Sequence, residues 1–148
     1  MSRGQETFEY LRDSLIEWKY KDTMNNVSGE GFNEDNVVNI LGNLPTQTVF
    51  DYVYIHPPVS SRTALTTGSR NTKRITETST IDVYCRRIGN ANEGKRKTLE
   101  AMYEVVDKIS EVFEAQGFLI TESFTDLNYG NNNTIRKVMN ITKTYIEN

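Results

Sequence analysis

The chain has 148 residues, 36% of them hydrophobic and 25% charged, with a formal net charge of −3 and a pI near 5.3. That length suits one core in one domain, and the mild acidity supplies no global field to draw in nucleic acid or an anionic membrane. A single cysteine, Cys85, and a single histidine, His56, exclude an internal disulfide and a multi-cysteine zinc centre, and they fit a reducing compartment.

The opening MSRGQETFEYLRD lacks the apolar run of a signal peptide. No apolar stretch approaches the ~18 residues that span a bilayer. The expectation is a soluble protein made in the cytoplasm.

Between Glu6 and Tyr20, Phe8, Leu11, Leu15 and Trp18 recur at steps of three and four, which predicts an amphipathic helix capped at Ser2 or Thr7. From Lys21 to Gln47 turn formers dominate, and only Val37 to Leu44 hints at a short element. TVFDYVYI, Thr48 to Ile55, is dense in β-branched and aromatic residues and is stopped by Pro57 and Pro58, as a strand would be. The following Pro57 to Arg74 contains Arg62, Arg70, Lys73 and Arg74 and no acidic residue, and reads as an extended basic loop. ITETSTIDVYCRRIG then alternates, with Ile81, Val83 and Cys85 on a buried side and Asp82, Tyr84 and Arg86 on a wet one.

Asn90 to Glu93 supplies helix-start chemistry. Leu99, Met102, Val106, Ile109 and Phe113 then repeat at helical spacing until Gly117 provides a stop. Phe118 to Leu127 and Thr134 to Ile146 form a closing hairpin around YGNNN, since Gly and Asn tolerate positive φ. In its second arm Ile135, Met139, Ile141 and Tyr145 share a face with Lys137 and Lys143, opposite Arg136, Asn140 and Thr142. The expected fold is α+β, a single domain over 1–148. An antiparallel or mixed sheet of about four strands packs against two amphipathic helices, with the basic loop at 57–74 between two strands.

Catalytic and ligand chemistry is hard to assemble from these residues. His56 sits at a strand end before two prolines, with no recognisable nucleophile context. Cys85 falls on an apolar strand face, where a thiol behaves as a small hydrophobe. Glu100, Glu104, Asp107, Glu111 and Glu114 line the polar side of the second helix and keep it solvated. Gly29 and Gly31 form a GxG with neither the third glycine nor the lysine of a phosphate loop. The expectation is no catalytic residue, no cofactor and no metal.

The basic segment admits three readings: a merely solvated loop, a docking element for an acidic protein surface, or a nucleic-acid contact without aromatics to stack on bases. Phe50, Tyr52, Tyr54 and Tyr84 suit either a second core layer beneath a helix or an exposed assembly surface.

The order of elements resembles the tail-terminator proteins of long-tailed bacteriophages, with the similar minor tail and head-tail joining proteins. The likeness runs through FEYLRDSLIEW, VFDYVYIHPP, TETSTIDVYCRR, KRKTLEAMYEVVDKISEVF and the closing hairpin; the long segment Lys21 to Gln47 departs from it. The resemblance implies a ring, usually a hexamer, that caps the tail tube and faces the head connector, in the virion tail or neck after assembly in the host cytoplasm. Its partners would be other copies, the tube protein and the connector, with DNA at most passing through. Arg62, Arg70, Lys73, Arg74, Arg86 and Arg87 are the expected interface cations. The alternatives are a head-closure protein and a nucleic-acid module using the basic loop with Arg86 and Arg87.

Overall fold

A computed structural model describes residues 3–18, 32, 34–40, 51–65, 72–87, 90–129 and 134–147. In chain order these form α1 (Arg3–Glu17), β1 (Val37–Val38), β2 (Asp51–Ile55), β3 (Val59–Ala64), β4 (Lys73–Arg86), α2 (Ala91–Glu114), β5 (Leu119–Tyr129) and β6 (Thr134–Glu147). The chain is thus α+β with two helices. Its sheet has six strands rather than about four and is mixed, because β1 runs parallel to β2 while every other pairing is antiparallel.

β4 is the spine. Along one side it pairs with β6 over its whole length, from Lys73 with Glu147 to Arg86 with Thr134. Its other side is shared end to end by β3, opposite Lys73–Thr78, and β2, opposite Ile81–Cys85. His56, Pro57 and Pro58 lie between the two short strands, and prolines have no N–H with which to continue a ladder. The expected stop at the prolines is real, but pairing resumes beyond them. Within the segment expected as a basic loop, 59–64 are therefore strand β3 and 73–74 open β4, with Leu65 N–H donating to the Thr72 carbonyl at 3.1 Å, while 66–71 lie outside the described residues. Arg62 lies on β3, and Lys73 and Arg74 open β4.

The core forms where the expected apolar faces meet. Phe8, Leu11 and Leu15 of α1 and Met102, Val105, Val106, Ile109 and Phe113 of α2 pack on one sheet face. That face presents Val53, Ile55, Ile81, Val83, Cys85, Ile135, Met139 and Ile141. Cys85 is buried there as a free thiol.

α1 starts a turn earlier than the apolar spacing suggests, so Thr7 is an interior residue, while Ser2 lies outside the described residues. α2 is capped by Asn90, whose Oδ1 accepts from Glu93 N–H at 2.9 Å; this fills one of the donors a helix start leaves open. At its other end Gly117, at φ 84°, lets Phe118 N–H reach back to the Phe113 carbonyl and Gly117 N–H to that of Glu114, each at 3.0 Å. The Phe113 and Phe118 rings close the turn edge to face at 5.2 Å. This is the Schellman pattern with its hydrophobic contact.

Candidate assembly surface

The sheet face away from the helices is not uniformly wet. Asp82 and Tyr84, expected in solvent, are 2% and 5% exposed. Tyr84 packs edge to face on Tyr52, with centroids 6.1 Å apart. Arg136 lies over the Tyr84 and Phe124 rings at 5.9 and 5.3 Å. Asp82 Oδ1 accepts from Arg136 Nε at 2.8 Å and faces Nη2 at 2.6 Å. Its other oxygen is hydrogen-bonded to His56 Nε2, and the His56 ring stacks on Tyr54 at 4.3 Å. A carboxylate at this depth is tolerated because both oxygens are matched by donors.

His56 is thus half-exposed and anchored. Among the described residues no hydroxyl or thiol is bonded to its other ring nitrogen, and no three His, Cys, Asp or Glu side chains converge on a metal position. The arrangement holds the Arg136 guanidinium near two aromatic rings and links the end of β2 to β4 and β6.

Farther along the same face the chemistry changes to hydroxyls. Thr76 and Thr144 bond across β4 and β6 at 3.2 Å, Thr78 and Thr142 at 3.4 Å, and Thr80 donates to Asn140 Oδ1 at 3.0 Å. This ladder reinforces the ribbon where β4 and β6 extend alongside β3.

The expected interface cations are dispersed. Arg62 is exposed on β3; in antiparallel pairing it stands opposite Ile75, on the helix side, whereas exposed Arg74 faces the other side opposite Thr63 and Ile146. Lys73 and Arg86 sit half-buried at opposite ends of β4, and Arg70 lies outside the described residues. Arg87 is not a surface residue at all, being 1% exposed. Its guanidinium forms a two-pronged pair with buried Asp51, Nη1 to Oδ1 at 2.7 Å and Nη2 to Oδ2 at 2.9 Å, and Nη1 also reaches the Arg86 carbonyl at 2.8 Å. Its backbone N–H donates to Thr98 Oγ1 on α2 at 2.9 Å. Arg87 is a structural clamp, so the expected Arg86 and Arg87 pair does not form a basic patch.

What the surface offers instead is edges. Among the described residues neither β3 nor β5 has a partner strand on its outer side, whereas the outer side of β2 is taken by β1. All six residues of β3 are exposed. β5 leaves Leu119, Phe124 and Leu127 exposed and carries Glu122 and Asp126. Beside β3 lies a depression of about 600 Å³ lined in part by Gln5, Asn39, His56, Ser60 and Arg62. Beside β5 a smaller one of about 330 Å³ is lined by Met102, Tyr103, Glu122, Leu127 and Lys137. An unpaired strand presents a row of N–H and C=O groups that another strand can bind. The β3 edge leaves no signal in the sequence because it lies in a stretch rich in Ser, Thr and Pro.

No known family's sequence model matches this chain, and a search of curated proteins finds no significant match.

Proposed function

We propose that the chain is a structural virion protein, a tail terminator that forms a ring on the end of a phage tail tube and meets the head connector there. The observation that carries this reading is that, among the described residues, the outer sides of β3 and β5, like that of the two-residue β1, have no partner strand, in a sheet whose one face is already closed by both helices. A molecule with two different sticky edges associates head to tail, and such contacts close into a ring when the rotation permits. The sequence's resemblance to tail terminators supports the identity proposed for the ring, with tube and connector proteins as neighbours in the virion tail or neck. The nucleic-acid alternative is weakened by the dispersal of its cations. Arg87 is consumed internally, and Arg62 and Arg74 face opposite sides of the sheet.

Native mass by light scattering over a range of concentration, with electron micrographs of any large species, tests the proposal. Closed rings, hexameric in the family reading, are the expected result. A monomer at every concentration, unchanged when tail tubes are added, would overturn it.

A further inference from the structure

We propose that β3 of one copy pairs antiparallel with β5 of the next, with Arg62 set against Glu122 of the neighbour; the inference rests on the ring reading and specifies its contact. Three observations converge on it.

The first is direction. β3, β4, β6 and β5 alternate in direction across the sheet, so a neighbour's β3 laid beside β5 by rotation about a ring axis continues the antiparallel alternation without a break.

The second is charge. β5 carries Glu122 and Asp126 and no cation, while β3 carries Arg62 and no anion. Pairing β5 with β5 sets carboxylates against carboxylates, and pairing β3 with β3 sets arginine near arginine; like charges across a ladder repel. Only the mixed pairing is complementary, which selects the head-to-tail contact over a two-fold dimer. Glu122 already meets Lys137 Nζ at 3.5 Å and is about half exposed, so Arg62 of a neighbour would complete a cation–carboxylate–cation row at the sheet edge.

The third is face and level. Arg62 is aligned with Ile75 and, through it, Tyr145, while Glu122 is aligned with Met139. Both side chains therefore lie on the helix side, as opposed residues in a ladder must. Their levels differ by the step along β6 from 139 to 145, about six residues or ~20 Å at ~3.3 Å per residue. Spread over four strands about 4.8 Å apart, that stagger tilts the strands by about 45° to the ring axis, close to the ~35–45° at which sheets close into barrels. The offset is built into the subunit, because β1 blocks the outer side of β2 while, among the described residues, β3 keeps its outer side unpaired.

Reciprocal charge reversal tests the contact. In the full-length protein, Arg62→Glu and Glu122→Arg each raise the concentration at half-assembly at least tenfold, and the double variant returns it to within about threefold of the unmutated protein. Circular dichroism and thermal melts of each variant verify that the subunit itself stays folded. A second measurement pairs Arg62→Cys with Glu122→Cys in one chain. Oxidation then yields a ladder of covalent oligomers on denaturing gels run with excess thiol-blocking reagent, and a chain carrying either introduced cysteine alone does not extend past dimer, since Cys85 is buried in the core. Rings that form normally in both single reversals, or a double variant without recovery, overturn the β3–β5 assignment and leave the ring reading standing. Failure of the unmutated protein to assemble at all overturns both.

Discussion

Asp51 and Arg87 show how misleading a single residue can be when read without its partner. In the sequence Arg87 is half of a basic dipeptide at a strand end. In the fold it is almost fully buried, and it joins the start of β2, the end of β4 and the first turns of α2, where Thr98 accepts from its backbone and itself donates to the Gly94 carbonyl at 2.7 Å. Asp51→Ala strands a buried guanidinium and should cost about 3–5 kcal/mol, whereas replacing both partners by apolar residues of similar size costs much less than the two single losses combined. Urea unfolding of the two single variants and the double one measures this. Asp82 is a second case. An aspartate amid Ile81, Val83 and Cys85 carries the alternation that predicts exposure, and nothing local announces that Arg136, far along the chain, will cover it. Partners separated by such distances in sequence are the part of the site that pattern reasoning does not reach. Where a partner is one helical turn away, the effect is readable. Glu93 is held below its ordinary value of 4.5 by a hydrogen bond to Lys97 first and by that lysine's charge second. A lowered carboxylate pKa stabilises the fold fully above the unfolded value and loses that contribution as pH falls through the folded one. The resulting small loss of stability below about pH 4.5 should therefore shrink in Lys97→Met, as seen by thermal melts at pH 3 to 6.

The helices were legible because their signals are local. Apolar steps of three and four, an Asn cap and a glycine stop are all contained within a turn or two of the feature that they specify. Gly117 illustrates how little is needed. A Cβ there would meet nothing within 4 Å, so the whole effect of Gly117→Ala is the positive φ, about 1 kcal/mol of destabilisation measurable by urea unfolding with no change in fold. Strands were legible where burial or a turn signal marked them: β5 is mostly exposed, but the YGNNN reversal points to it. β4 and β6 alternate apolar and polar residues, and the faces that the alternation predicts for β6 are those observed. β3, exposed along its whole length, has no hydrophobic pattern to show, and VSSRTA is indistinguishable from loop by composition. β1 is two residues long and is defined only by its contact with β2. The strand within the expected basic loop is silent in the sequence for a physical reason: β3 is held in place by backbone pairing to β4 rather than by burial of its own side chains.

At the scale of the molecule the expected α+β architecture holds, while the sheet is wider and its edges more exposed than the linear order suggests. Edges belong to topology, and topology was recoverable from the sequence only as far as the closing hairpin. β3 and β5 differ in length, charge and level, and a subunit with unlike edges is suited to a directional assembly. Native mass and the charge-reversal pair test that suitability at the level of the intact protein.

The pairing of β4 with β6 has a further consequence, for the kinetics of folding. These two strands share the longest ladder in the sheet, yet α2 and β5 lie between them in the chain, and Lys73 finds its partner only at Glu147. Contacts at such separation must meet loop-closure entropy before they return any stability, which places the rate in the slow range of mixed and β-rich domains. Until β6 inserts between β4 and β5, both of those strands expose the sides that it will occupy. The period of greatest vulnerability to misassociation is thus set by the arrival of one strand, and a cell making many copies at once must keep that interval short.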